Sequence, residues 1–286
     1  MRRFLPADLL ARDERFNTIT NSVRLADPRS ITSGTGPRGN NRLTPSRRDA
    51  SDAARGLMHG IFTGEIQALE GAGRTCFDFD DVPFALKLDM ARQAWDEARH
   101  VEISVKLSDW MGTEIGQYAE NTVLFETACS SDPVFRLAGV NRALEGLAID
   151  VFTTMKEFGQ LAGDPFVEFC EDWMLADEVT HVKMGSDWLR RLTEGDPARR
   201  KAALEFQSVV DKLFSSGGFR SESDESAVGL ARRFRELAGF DDAEVDEIAR
   251  LSADALEEAK TARSRQRERL TEQAAEATDA RLKASA

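Results

Sequence analysis

The feature that most constrains this sequence is a short motif that it contains twice. Asp-Glu-x-x-His occurs at residues 96–100, as DEARH, and again at residues 177–181, as DEVTH, and the two copies use two of the three histidines in the chain. Side chains three residues apart share one face of an α-helix, so each copy presents a carboxylate and an imidazole together. These groups are good ligands for a transition metal. Both copies lie in predicted helices with apolar inner faces, where a carboxylate needs a metal, a proton or a counter-charge.

Two further glutamates precede the motifs at matching distances. Glu65 lies 32 positions before Glu97, and Glu145 lies 33 positions before Glu178. Two antiparallel helix hairpins of equal span would therefore bring four glutamates and two histidines to one level. That set, in the core of a four-helix bundle, is the ligand set of the di-iron and di-manganese carboxylate proteins. For Glu145, an ion pair with Arg142 is the alternative interpretation.

Helical periodicity and helix-end signals predict an all-α fold with four long helices. Apolar residues follow the i, i+3, i+4, i+7 rule in the first helix, which is predicted to end near Gly71. The second begins at Pro83, and the third and fourth each begin with an Asp-Pro pair, at residues 132–133 and 164–165. A fifth helix follows. Residues 241–284 are dense in Glu, Arg and Ala, which predicts a long solvated helix or an oligomer contact.

Charge is distributed unevenly along the chain. The net charge is −12, yet residues 1–48 carry ten Arg against four acidic residues. We interpret residues 1–48 as an irregular basic arm, either a flexible strap or a segment that wraps an acidic body or a partner subunit. The acidic remainder argues against general binding of polyanions such as nucleic acids. The chain has no apolar run of membrane-spanning length, no Cys-x-x-Cys pair and no apolar signal segment, which together predict a cytoplasmic protein.

Three stretches of the sequence resemble the ferritin-like superfamily, and more narrowly an uncharacterised ferritin-like family defined mainly by sequence. They are HGIFTGEIQALEGAG, ARQAWDEARHVEI and DWMLADEVTHVKMGSDWL, and the resemblance covers about residues 50–195. It implies a di-metal four-helix bundle at residues 49–195, with additional helices at 196–286 that form a lid or an oligomer contact. It also implies ligands for two iron ions, or for iron with manganese: Glu65, Glu97, His100, Glu145, Glu178 and His181. Whether Glu97 and Glu178 or the other two glutamates bridge the metals stays open.

The same resemblance gives the aspartates of the two motifs a role. In similar bundles each aspartate accepts a hydrogen bond from the histidine of the opposite motif, which fixes the orientation of the ring. We therefore expect Asp96 to pair with His181 and Asp177 to pair with His100. Arg99 would neutralise one of these carboxylates. The alternative is that both aspartates are solvated beside the metals.

Four other residues near the predicted ligands have less specific interpretations. His59 is predicted to be a satisfied core or surface histidine, with a pocket position near the metals as the alternative. Tyr118 is the only tyrosine and so the only candidate for a radical role. Gly64 and Gly146 each adjoin a predicted ligand, where they would permit close helix packing or leave space for substrate. Packing is the favoured interpretation for both.

The resemblance implies an O₂-dependent oxidoreductase, and three classes of function compete. The favoured class is an oxygenase or oxidase that hydroxylates, N-oxygenates or desaturates a small organic substrate with an external electron donor. The chain beyond the bundle favours it, because additional helices can build and cover a pocket. The second class is a ferritin-like ferroxidase, whose cage the additional chain would obstruct. The third is a tRNA-modifying hydroxylase, which the acidic body opposes and the basic arm favours. A homodimer is a further expectation.

Overall fold

The computed structural model describes residues 52–118, 120–217 and 230–251, together with five isolated positions between 253 and 265. Every regular element within these residues is a helix, which confirms the all-α prediction for the part of the chain that is described. The predicted basic arm at residues 1–48 lies outside the described residues, as does most of the predicted helix at 241–284.

The helices are numbered in chain order. They are α1 (Asp52–Asp78), α2 (Phe84–Met111), α3 (Val123–Ala128), α4 (Pro133–Arg136), a π-helix (Leu137–Leu144), α5 (Glu145–Ala162), α6 (Pro165–Leu192), α7 (Pro197–Gly217), α8 (Arg232–Leu237) and a helical segment at residues 242–251. None of them combines the length and the apolar character that a bilayer span requires.

Two helix starts follow the signals in the sequence. Asp132 caps α4 by accepting a hydrogen bond from the N–H of Val134 at 2.7 Å, and Asp164 caps α6 by accepting one from the N–H of Phe166 at 3.1 Å. A proline follows each cap at the first helical position, where its missing N–H would have had no helical partner. The Asp-Pro pairs therefore begin these helices as predicted.

Two features differ from the sequence-based prediction. Helix α1 does not end near Gly71 but continues to Asp78. A Cβ atom at Gly71 would lie 3.0 Å from the Cβ atom of Ala128, so this glycine allows α3 to approach α1 closely. The third predicted helix is not a single α-helix, because the π-helix (Leu137–Leu144) interrupts it immediately before Glu145. Such wider turns occur often at functional sites.

The four long helices α1, α2, α5 and α6 surround the main core, with α1 packed against α2 and α5 packed against α6. Hydrogen bonds connect both ends of α2 to the opposite ends of α6. Trp188 Nε1 donates to Asp89 Oδ2 at 2.7 Å, and Trp110 Nε1 donates to Asp164 Oδ2 at 2.8 Å. Helices α2 and α6 therefore run antiparallel, which brings the two Asp-Glu-x-x-His motifs to the same level.

Of the elements that follow α6, α7 packs mainly against the π-helix and α4, whereas α8 packs against α5 and α6. Phe240 and Val245 join the main core, and Val210 of α7 packs against the end of the π-helix. Arg235 of α8 forms a buried ion pair with Asp150 of α5, with Nη2 2.6 Å from Oδ2. The C-terminal elements are thus attached to the long helices by both apolar and ionic contacts.

Candidate metal centre

Six buried side chains meet in the middle of the four long helices. Helices α1 and α5 contribute one each, and α2 and α6 contribute two each. None of the six residues is more than 5% exposed. They are Glu65, Glu97, His100, Glu145, Glu178 and His181. The structure therefore brings together all of the residues that were predicted as metal ligands.

The first group of potential ligands surrounds one ring nitrogen. The Nδ1 atom of His100 lies 3.0 Å from Glu65 Oε2, 3.1 Å from Glu97 Oε2 and 3.2 Å from Glu178 Oε1. These residues come from α1, α2 and α6, so three helices converge on one position. Three carboxylate oxygens and one imidazole nitrogen form a ligand set that suits iron or manganese.

The second group overlaps with the first. It consists of Glu97, Glu145, Glu178 and His181, and the His181 Nδ1 atom lies 3.1 Å from Glu97 Oε1 and 3.5 Å from Glu178 Oε1. Glu97 and Glu178 belong to both groups, whereas Glu65 belongs only to the first and Glu145 only to the second. The sequence could not tell which pair of glutamates would contact both groups, and the structure shows that it is Glu97 and Glu178.

The spacing of these atoms suits transition-metal ions. Adjacent ligand atoms at about 2.1 Å from a metal lie about 3.0 Å apart, which is close to the separations around both Nδ1 atoms. Within each group the ligand atoms all lie within 4.8 Å of one another. Despite these short distances, both oxygens of Glu178 and the Nδ1 atom of His181 form no hydrogen bond. Buried polar atoms without a partner are costly, and a cation in each group would satisfy them.

The pKa shifts within the cluster also favour the binding of cations. Burial, reinforced by the charge of Glu97, raises the pKa of Glu65 well above its usual value. Burial alone would lower the pKa of His100, but the surrounding carboxylates, with Asp177 and Glu178 foremost, outweigh it and raise that pKa strongly. Metal ligands bind in their deprotonated form, so ions bound to these groups would replace protons.

The two motif aspartates contact the histidines to which they were assigned. His100 Nε2 lies 3.2 Å from Asp177 Oδ2, and His181 Nε2 lies 3.3 Å from Asp96 Oδ2. Each imidazole thus turns Nδ1 toward the glutamates and Nε2 toward an aspartate, which is how carboxylates orient metal-binding histidines. Arg99 hydrogen-bonds both aspartates. The two carboxylates are therefore linked to each other as well as to the histidines.

Residues 24–246 match a family described as "Protein of unknown function (DUF455)". This match covers more than half of the 286 residues. The chain belongs to the DUF455 family. No curated protein and no solved structure matches it. All six glutamates and histidines of the candidate centre fall within the region that the DUF455 match covers.

In this DUF455 protein, two residues that the sequence interpretation missed extend the centre. Gln93 Nε2 donates hydrogen bonds to Glu97 Oε1 at 3.1 Å and to Glu145 Oε1 at 2.9 Å. Its Oε1 atom accepts from Asn141 Nδ2 at 2.7 Å. Gln93 lies one turn before Glu97, so the helical spacing in the sequence could have indicated that both face the centre. Asn141 lies in the π-helix, and no signal in the sequence indicated its position.

The alternative ion pair for Glu145 does not form. Arg142 donates instead to Gln207 Oε1 at 2.8 Å, and it also hydrogen-bonds Ser186 and Glu244. The π-helix directs Arg142 toward α7 and the C-terminal elements, while Glu145 faces the centre. Glu145 and Arg142 are close in sequence but belong to different polar clusters.

His59 and Tyr118 lie away from the metal ligands of the DUF455 centre. His59 Nε2 lies 3.0 Å from Glu120 Oε1 and accepts a hydrogen bond from the N–H of Gly116 at 3.0 Å. The ring of Tyr118 packs beside the His59 ring, with centroids 5.6 Å apart. His59 is a buried histidine, as the favoured interpretation predicted, but it is not fully satisfied, because its Nδ1 atom forms no hydrogen bond with the described residues.

The two glycines beside predicted ligands differ from each other. A Cβ atom at Gly146 would lie 2.8 Å from Arg235 Nη1, so close packing requires this glycine. A Cβ atom at Gly64 would meet no atom of the described residues within 4 Å. The packing interpretation is therefore wrong for Gly64 as far as the described part of the chain is concerned.

A surface groove between α2 and α6 reaches the second ligand group. Its volume is about 250 Å³, and its lining includes the buried residues Gln93 and His181. Exposed basic side chains contribute to the rim, among them Arg92, Lys183 and Arg191. The groove connects the surface of the protein with the imidazole of the second group.

Proposed function

We propose that this DUF455 protein is a non-haem di-iron oxygenase or oxidase that uses O₂ to hydroxylate, N-oxygenate or desaturate a small organic molecule. The observation that carries the proposal is the overlap of two buried ligand groups through Glu97 and Glu178. A shared carboxylate can bridge two metal ions, and four glutamates with two histidines on four helices form the ligand set of ferritin-like di-iron bundles. When bound, two irons, or iron with manganese, would supply the electrons for the reduction of O₂.

Each ligand has a definite place in this proposal. Glu97 and Glu178 would be shared by two ions, because each belongs to both groups. Glu65 and His100 would complete the ligands of one ion, and Glu145 and His181 would complete those of the other. Gln93 orients two of the carboxylates through its amide N–H groups. Ligands that are held in place before a metal binds lose less freedom on binding.

The aspartates control the protons of the histidines. Asp177 accepts from Nε2 of His100, and Asp96 accepts from Nε2 of His181. Nε2 of each ring then keeps its proton toward an aspartate, and a bound metal ion would take the place of the proton on Nδ1. Burial would raise the pKa of Asp96, but hydrogen bonds from His181 and Arg99 outweigh it and lower that pKa.

The surroundings of the centre favour an organic substrate. The centre is buried among apolar side chains, with the Phe152 ring edge-on to the His100 ring at a centroid distance of 6.2 Å. Exclusion of bulk water protects a reactive oxidant from quenching. An external electron donor is also part of the proposal, as are the homodimer and the cytoplasmic location.

A ferroxidase is the second candidate, and the groove favours it because it gives Fe²⁺ a path from the surface to His181. The charge of the lining does not add to this argument, since three basic side chains outnumber the carboxylates of Asp89 and Asp187. A ferroxidase would pass oxidised iron onward and not oxidise an organic molecule. The tRNA-modifying hydroxylase relies on the basic arm at residues 1–48, which lies outside the described residues.

The two candidates predict different responses to excess iron. The full chain is incubated with excess Fe²⁺ in air, and bound iron and particle size are followed together. The oxygenase stops at about two irons per chain and remains a small oligomer. A large shell that accumulates iron far beyond this number would contradict the oxygenase. Glu97→Ala should lose iron, whereas Glu102→Ala, on the exposed side of the same helix, should not.

A further inference from the structure

Glu171 is a buried carboxyl group that the proposed centre does not use. It lies on α6, seven residues before Glu178, so both face the same side of the helix. Its exposure is 0%, and neither of its oxygens has a hydrogen-bond partner among the described residues. Two helical turns, or about 10 Å along the axis, separate it from Glu178. A native protein rarely leaves such a group unsatisfied without a functional reason.

The antiparallel arrangement of α2 and α6 places a second unsatisfied group at the same level. His100 contacts Asp177, and Trp110 contacts Asp164 further along. Between these two contacts, Glu171 on α6 lies at the level of Ser104 on α2. Ser104 is also 0% exposed, and its Oγ atom lacks a hydrogen-bond partner.

The side chains that share this layer of the core are apolar. The helical register likewise places residues of α1 and α5 at this level. They are Met58 and Ile61 of α1 and Phe152 and Met155 of α5, and all four are buried in the main core. None of them can satisfy a carboxyl or hydroxyl group. Three unsatisfied oxygens therefore occur in an apolar layer that adjoins the metal ligands, since Ser104 lies one turn from His100.

We propose that Glu171 and Ser104 bind the polar end of the organic substrate, a molecule with an apolar body and one uncharged hydrogen-bonding group, such as a hydroxyl or a primary amide. This inference rests on the proposed function, because it takes the neighbouring centre as the place where the substrate reacts. It adds a binding site and a substrate class to that function.

The chemistry of the two side chains supports an uncharged ligand group. Burial outweighs the charge of His100 and raises the pKa of Glu171 well above its usual value, which favours the neutral carboxyl. A neutral carboxyl offers one O–H donor and one carbonyl acceptor. A hydroxyl or an amide can satisfy both, with Ser104 as a further partner. The polar end would then lie about 6 to 10 Å along the bundle axis from the ligands, a span that matches an alkyl chain of about six carbons.

Three probes of equal length test this site in the full, iron-loaded chain: 1-hexanol, hexanamide and hexylammonium. Their affinities are measured by calorimetry and by the shift in Tm for the native protein, Glu171→Leu and Ser104→Ala. We expect hexanol or hexanamide to bind the native protein at least about tenfold more tightly than either variant, which corresponds to the loss of one or two hydrogen bonds. Glu168→Gln, three residues away and bonded to Gln160, is the matched control and should bind normally.

Stability separates a ligand-binding role from a structural one. Replacing an unsatisfied buried carboxyl with leucine should leave Tm without a ligand unchanged or raised, because no internal hydrogen bond is lost. Both variants should retain the iron content of the native protein. A lower Tm for Glu171→Leu without ligand would identify Glu171 as a structural residue and would overturn the inference.

Infrared spectroscopy provides a direct readout of the carboxyl group. The native protein should show a carbonyl band of a neutral carboxyl that Glu171→Gln lacks, and 1-hexanol should shift it to lower frequency. Equal probe affinities in native and variant proteins, preference for hexylammonium, or an unshifted band would each overturn the inference while leaving iron binding intact. A chain that binds no iron would overturn the proposed function, and the inference with it.

Discussion

Two buried polar clusters in this protein differ in how their charges are balanced. In the candidate metal centre, glutamates and histidines face one another, and Arg99 contacts the motif aspartates instead of the glutamates. The second cluster, which we call the arginine cluster, lies between α5, the π-helix, α7 and the C-terminal elements. It consists of Arg142, Asp150, Gln207, Asp211, Arg235 and Glu244.

The difference concerns how each cluster compensates its carboxylates. In the arginine cluster, Asp150 is paired with Arg235, and Glu244 is paired with Arg142. In the metal centre, both oxygens of Glu178 remain without a hydrogen bond. An ion pair within the chain needs no ligand, whereas the glutamates and histidines of the other cluster could hold metal ions. Each of the following predictions tests this contrast.

The largest effect is expected when a shared ligand of the metal centre is removed. Glu178→Ala should reduce bound iron from about two per chain to less than one, because both groups lose an oxygen ligand. Glu65→Ala should leave about one iron, because it affects the first group alone. Iron is measured by elemental analysis of the purified protein. Equal losses in the two variants would contradict the distinction between shared and single ligands.

Breaking the arginine cluster should reduce stability and leave iron binding unchanged. Arg235→Leu leaves the buried carboxylate of Asp150 without its partner, which typically costs about 3–5 kcal/mol. Urea unfolding measures this loss. As a control, Arg232→Ala removes an exposed ion pair on the same helix and should cost less than about 1 kcal/mol. Loss of iron in Arg235→Leu at low denaturant would show that the two clusters are coupled.

The arginine cluster also predicts a pH dependence of stability. Burial raises the pKa of Asp211 to about 6 from its usual 3.8. The folded state therefore holds this proton more tightly than the unfolded state, so the contribution of Asp211 to stability is fully present below about pH 4 and is lost as pH rises through about 6. A shift of about two units corresponds to about 3 kcal/mol.

Asp211→Asn isolates this contribution. The free energy of unfolding of the variant should exceed that of the native protein by up to about 3 kcal/mol at pH 7, and the difference should vanish near pH 4. Urea unfolding at a series of pH values gives the comparison. A difference that does not depend on pH would show that Asp211 has the same pKa in both states.

The smallest expected effect concerns the residues that orient the histidines. Asp177→Asn should retain iron but slow its reaction with O₂ or weaken its binding by about 10–100-fold, because an amide is a poorer acceptor for Nε2 of His100. Stopped-flow spectroscopy of the reduced protein measures the rate. Asp172→Asn, an exposed site on the same helix, is the control. Identical kinetics in both variants would contradict the role of Asp177.

Much of this architecture was predictable because helix signals are local. The Asp-Pro pairs at residues 132–133 and 164–165 mark helix starts through contacts within a few residues. The equal spacing of glutamates and motifs predicted that six side chains would meet, since helical rise and periodicity convert spacing into position. The all-α class, the six members of the metal centre and the aspartate contacts followed from such regularities.

Other features required the tertiary structure, because they depend on how separate helices approach each other. Only the packing of four helices shows that Glu97 and Glu178 belong to both ligand groups. The contact of Gln93 with Asn141 joins residues 48 positions apart across a π-helix that no periodicity indicated. The level shared by Glu171 and Ser104 likewise depends on the antiparallel register of α2 and α6. Sequence spacing determined which side chains face inward, and helix packing decided which of them belong to both ligand groups.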